Sequence, residues 1–169
     1  MANIQAGLEI KAGVSGVENI DALAQSIEAA GIDTGKLTTE AKELGATLAK
    51  AQAQQAAIAE YKALSAELDN TAKEMRALDE LTATLEKSMR GGGTQQQQAD
   101  LAKLRAESER LAKIETELTG KLYTARDAMA VSGVSVKNLA AEEARLSSES
   151  AAATAQLDRL TAEAQTLKA

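Results

Sequence analysis

Between Tyr61 and Met89 one side of the chain repeats every seven residues. Tyr61, Leu68, Met75, Thr82 and Met89 form one row, and Leu64, Thr71, Leu78 and Leu85 form a second. Rows at that spacing hold one face of a helix toward a partner helix, because seven residues make close to two turns. No proline interrupts the pattern, and the residues around it are mostly Ala, Glu, Lys, Gln and Leu, all strong helix formers. The stretch from Leu37 to Met89 therefore reads as one helix of roughly 50 residues, about 75–80 Å long. A helix of that length exceeds the diameter of a small domain and needs a partner along most of itself.

Composition narrows the partner. The chain is 44% hydrophobic but only 1% aromatic, with no Phe or Trp, so its apolar material is mainly alanine and leucine. Such side chains make narrow helix–helix seams and fill a thick globular core poorly, because aromatic residues supply much of the buried area there. With no proline and 11 glycines, the breaks must come from glycine. The expected fold class is all-α: long amphipathic helices in a helical hairpin or coiled coil.

Residues 1–34 read as a strand-like segment followed by a short helix. Ile4, Ala6, Leu8, Ile10, Ala12 and Val14 alternate with Gln5, Gly7, Glu9, Lys11 and Gly13, the period of a half-buried β-strand. The alternatives are a short N-terminal strand that pairs elsewhere, since a lone strand is unstable, or a frayed terminus. A helix follows from Gly16 to Ala30, with Ser15 and Glu18 at capping-box spacing and Ile20, Leu23, Ile27 and Ala30 as its stripe. Gly31 fits the position just past its end.

The long helix is expected over 35–90. In its first half Leu37, Leu44, Ala51 and Ile58 form a row, with Leu48 beside it. The stretch from Ala49 to Ala59 is nearly all alanine and glutamine; its small side chains either permit close approach by a neighbour or are solvated, and solvation is the favoured reading. A Gly/Gln-rich loop is expected over 91–97, carried by the joint residues Gly91, Gly92 and Gly93, with Thr94 as a cap if the glutamines are already helical. A returning helix over 98–132 carries Leu101, Leu104, Leu111, Ile114, Leu118, Leu122 and Met129, and a short glycine loop favours antiparallel return. Gly133 opens the last element, a heptad helix over 133–169 with Leu139, Leu146, Ala153, Leu160 and Leu167, flanked by Leu157.

The joint recurs. Gly31-Ile32-Asp33-Thr34-Gly35-Lys36-Leu37 reads against Gly133-Val134-Ser135-Val136-Lys137-Asn138-Leu139, 102 residues later. Glu40 and Leu44 match Glu142 and Leu146, and Ile27 matches Met129. Heptad periodicity explains the leucines but not the joint falling in the same register, so the chain reads as an internal duplication.

No catalytic constellation emerges, and the chain is read as non-enzymatic, without cofactor, metal or small-molecule substrate. Histidine and cysteine are absent, which removes the usual general base near neutral pH, thiol nucleophiles and disulfides. Glu74, Asp79, Glu80, Glu107, Glu109, Glu115 and Glu117 fall on polar helix faces, where i to i+4 pairing is their expected role. Ser147, Ser148 and Ser150 have no base to activate them. Gly91 to Gly93 lacks the Gly-Lys-(Ser/Thr) ending of a phosphate loop. A net charge of −6 argues against nucleic acid, whose backbone calls for clustered Lys and Arg. No run approaches the apolar length of a membrane span.

Interaction is left as the function class. The candidate seam is Tyr61, Leu64, Leu68, Met75, Leu78 and Leu85 on the long helix, Leu104, Leu111 and Leu118 on the returning helix, and Leu139, Leu146, Leu157, Leu160 and Leu167 on the last. The joint Ala30-Gly31-Ile32-Asp33-Thr34, followed by Leu37 and Leu44, with the alternating start and the Leu23/Ile27 helix before it, resembles a segment of the tail tape measure proteins of long-tailed bacteriophages and prophages. Ser132-Gly133-Val134-Ser135-Val136 with Leu139 resembles it less well. The resemblance implies a fragment of a structural protein that sets phage tail length and scaffolds tail tube assembly. The implied partners are further copies of the chain, tail tube protein and tail assembly chaperones. The implied locations are the bacterial cytoplasm before assembly and the virion tail lumen after it. The alternative is a soluble coiled-coil adaptor or secretion-related helical protein whose stripe receives a partner helix.

Overall fold

The computed structural model of the chain describes residues 35–167. The strand-like start, the short helix after it and Gly31 lie outside these residues. The described architecture is all-α, three long helices with inter-helix packing and no strand: α1, Gly35–Ser88; α2, Gln95–Val131; a single 3-10 turn, Val136–Asn138; and α3, Leu139–Leu167.

The breaks between helices are tighter than the sequence suggests. Thr94 accepts from the Gln97 amide at 3.1 Å, and the Gln97 side chain accepts from the Thr94 amide at 2.9 Å. That reciprocal capping box satisfies two of the orphan donors of a helix start, so α2 begins at Gln95 and not at 98. The turn is left to residues 89–94, and only Gly92, at φ 106°, holds a backbone angle that side chains resist. The second joint repeats the device. Gly133 takes φ 82°, its amide donates to Ala130 O at 3.1 Å, and the Val134 amide reaches Met129 O at 2.9 Å. The left-handed residue thus covers carbonyls that the end of α2 leaves open. Ser135 then accepts from the Lys137 amide at 3.3 Å and starts the 3-10 turn.

The chain divides into two compact units. Among the described residues one comprises 35–55 with 140–167, and the other 56–139. The core of the first is Ala41, Leu44, Leu48 and Ala51 from α1 with Leu146, Ala153, Leu157 and Leu160 from α3, none more than 8% exposed. Full burial of a leucine is worth about 1.5–3 kcal/mol, so each buried leucine here contributes on that scale. Thr161 is also buried there, and its hydroxyl donates to Leu157 O at 2.7 Å, which removes the cost of a stranded polar group.

In the second unit α2 lies beside the latter part of α1. Arg105 on α2 pairs with Glu86 on α1 at 2.8 Å, and the Gln97 side-chain Nε2 donates to Ser88 Oγ at 3.4 Å. Further along, Arg110 on α2 feels the charge of Glu74 on α1. As residue numbers rise on one helix they fall on the other. Both side chains of the Arg105–Glu86 pair are about half exposed or more, so the pair sets register and adds little stability.

Candidate functional site in the helix seams

The predicted seam residues divide by depth. Leu111, Leu118, Leu146, Leu157 and Leu160 are buried, with Leu146 fully excluded from solvent. Tyr61, Leu64, Leu68, Met75, Leu78, Leu85, Leu104 and Leu139 are half-buried. Leu167 is the last residue of α3. Of the predicted joints, Gly91 and Gly92 are exposed in the turn, Gly93 packs beneath Met89, and Gly133 ends α2.

The row on which the sequence insists most, Tyr61 to Leu85, is thus the less enclosed one. The Ala/Gln stretch read as solvated has a buried face instead: Ala51 is 2% exposed, Gln54 4% and Ile58 1%. Small side chains let a neighbour approach closely there, and alanine is sealed by less cover than leucine. Ala49, Gln52, Ala53 and Gln55 remain outside, exposed. Leu44, Ala51 and Ile58 are seven apart, and Tyr61 follows buried Gln54 by seven on the adjoining row, so the same face of the helix passes from enclosed to half-buried.

Three polar residues are buried, of which Thr71 stands in the second predicted row and Gln54 and Thr161 were not predicted as core. Thr71, in the half-buried row, is 6% exposed and donates its hydroxyl to Glu67 O at 3.0 Å. Thr161 does the same toward Leu157, and Gln54 is the third. A threonine at a core heptad position followed by helix is the available signal, since its hydroxyl can bond the preceding turn. Among the described residues no buried side-chain nitrogen or oxygen lacks a hydrogen-bond partner.

Charge decorates the seams from outside. Arg105 meets Glu86 as above. On α2 Arg110 donates to Glu107 at 2.9 and 2.6 Å; this bond holds the Glu107 carboxyl below its ordinary range and raises Arg110. On α3 Arg145 is bracketed by Glu142 and Glu149, each at 2.8 Å, and both hydrogen bonds raise the guanidinium. Arg126 lies over the Tyr123 ring at 5.0 Å. These pairings link residues three or four apart or neighbouring helices, and they converge on no cleft. Among the described residues no group of three or more acidic side chains is placed to hold a metal ion, and no helix is long and apolar enough to cross a membrane.

One concavity lies in the first unit, a groove of about 580 Å³ between α1 and α3. Leu44, Ala153 and Leu160 are buried beneath it, and Glu40, Glu43, Thr47, Glu149, Gln156, Arg159 and Glu163 stand exposed around it. An apolar base with a charged margin suits a helix better than a small molecule. No protein family, curated protein or solved structure matches the chain.

Proposed function

We propose that this chain is a structural, non-enzymatic helical scaffold, in the specific form of a tail tape measure segment that sets phage tail length and supports tail tube assembly. The observation that carries this reading is α1, 54 residues of uninterrupted helix. A helix adds length linearly at about 1.5 Å per residue, the property a ruler needs. The joint ahead of α1, with its resemblance to tape measure sequences, supports the same reading. The helices pair as coiled-coil seams, α1 and α2 as a hairpin, and the row Tyr61, Leu64, Leu68, Met75, Leu78 and Leu85 makes the contact with further copies. Half-buried leucines gain from another helix laid along them. Before assembly the chain stands in the bacterial cytoplasm with tail assembly chaperones; afterwards it stands in the tail lumen against tail tube protein.

An in-frame deletion of two heptads from α1, made in the phage or prophage genome that encodes the chain, tests this. Tails measured by electron microscopy should shorten by about 21 Å per deletion at the helical rise. Tails of unchanged length would sink the ruler reading. The alternative, an adaptor that receives a partner helix, draws on the same half-buried row and predicts a folded monomer or dimer that binds one helix of another protein.

A further inference from the structure

Leu111, Leu118 and Ala125 are buried along one line of α2. On the far side of the helix, about 180° from that line at 3.6 residues per turn, lies a face that runs from Lys113 to Val131. Tyr123 is 56% exposed on it and Val131 90% exposed. The only other large hydrophobic side chain this open among the described residues, Leu81, is on α1. Thr116 and Thr124 share the face, and their hydroxyls donate to Ala112 O at 2.9 Å and Gly120 O at 3.1 Å. Their polar atoms are thereby satisfied, and their methyl groups add to the apolar side. Between the two threonines Gly120 leaves the backbone bare. A Cβ built there meets nothing within 4 Å, so the fold does not require a glycine that weakens the helix. A bare turn admits another backbone at close range.

We propose that this face pairs with the same face of a second copy of the chain, antiparallel, about a two-fold axis at Gly120. Charge selects that occupant and that direction. In such a self-complementary contact, residues equally far before and after Gly120 oppose one another. Lys113 then meets Asp127, once at each end, while Glu109 meets Val131 and Glu117 meets Tyr123. No like charges meet. Parallel pairing in register would set Glu109, Lys113, Glu117 and Asp127 each against its own counterpart, which like-charge repulsion disfavours. Lys113 makes no salt bridge among the described residues, and Asp127 lies 3.7 Å from its neighbour Arg126. Arg126 also sits over the Tyr123 ring at 5.0 Å and steadies it on this side of the helix. The face is distinct from the row Tyr61 to Leu85 on α1, and the proposal does not rest on the tail reading.

Two full-length variants, Lys113→Glu and Asp127→Lys, test the pairing. Each alone sets like charges at both ends of the contact and should self-associate about tenfold more weakly than the native chain in sedimentation equilibrium. An equimolar mixture restores opposite charges at both ends and should associate as the native chain does. Recovery on mixing cannot come from a folding defect in either variant. A mixture no stronger than its components would overturn the proposal. Register is read separately, because the chain has no cysteine and an introduced one is unique. Lys113→Cys and Asp127→Cys chains, mixed and treated with a short bis-maleimide, should link at least about tenfold faster than either chain alone, since one position and its own counterpart stand about 21 Å apart along the paired helices. Equal linking with and without mixing would overturn the antiparallel register. No link in the mixture would overturn the second copy as occupant and leave the face to a different protein.

Discussion

Leu146→Ala isolates the packing of the first unit. The Leu146 side chain is 0% exposed and lies on α3 in the first unit, whose buried residues among those described include no aromatic one. Truncation removes the burial of the lost carbons and leaves a cavity; a fully buried leucine loses about 2–5 kcal/mol on this change. Alanine is the better helix former by at most a few tenths of a kcal/mol, so the intrinsic preference opposes the loss and cannot produce it. A net loss of about 3 kcal/mol is expected. With a urea slope of about 2 kcal/mol/M, the midpoint followed by circular dichroism should fall by about 1.5 M. Leu81→Ala is the internal control: Leu81 is 56% exposed, and a change there should stay within about 0.5 kcal/mol. If Leu146→Ala and Leu81→Ala shift the midpoint equally, the assigned core of this unit is wrong.

Other expectations test the seams and the joints. Leu68→Asp places a charge in the half-buried row and should cost at least about 2 kcal/mol in thermal or urea melts, while Glu67→Asp next to it should change little; equal effects would mean a wrong register. Thr94→Ala removes one arm of the capping box and should cost about 1 kcal/mol, seen as faster amide exchange at Gln97. Gly133→Ala forces a side chain into a left-handed backbone at φ 82° and should destabilise by about 1–2 kcal/mol. Gly120→Ala, in helix α2 with nothing within 4 Å of the added carbon, should stabilise by about 0.5–1 kcal/mol; the two signs together separate a required glycine from a tolerated one.

The contrast between Ile58 and Tyr61 shows what the sequence could and could not say. Both lie on clean seven-residue rows, and helix formation along both is legible from spacing, propensity and the lack of proline. Depth is not legible. Ile58 is 1% exposed and Tyr61 half-buried, because depth depends on what lies opposite, and the seven-residue period says only which stripe turns inward. The Ala51–Gln54 face misled for a related reason. Alanine carries a weak hydrophobic signal, yet it is readily covered when a neighbouring backbone comes close. Of the joints, Gly92 and Gly133 take positive φ, while the capping box at Thr94 moved the start of α2 into the glutamines, whose high propensity permitted it.

The central claim is that these seams serve assembly, and the mass and shape of the full chain in solution test it most directly. Light scattering combined with small-angle X-ray scattering should give a defined multiple of 17.6 kDa. The Leu68→Asp chain should lose that assembly. A compact monomer at 17.6 kDa across the accessible concentration range would contradict the account, since it would mean that the chain consumes its own seams and offers none to another copy.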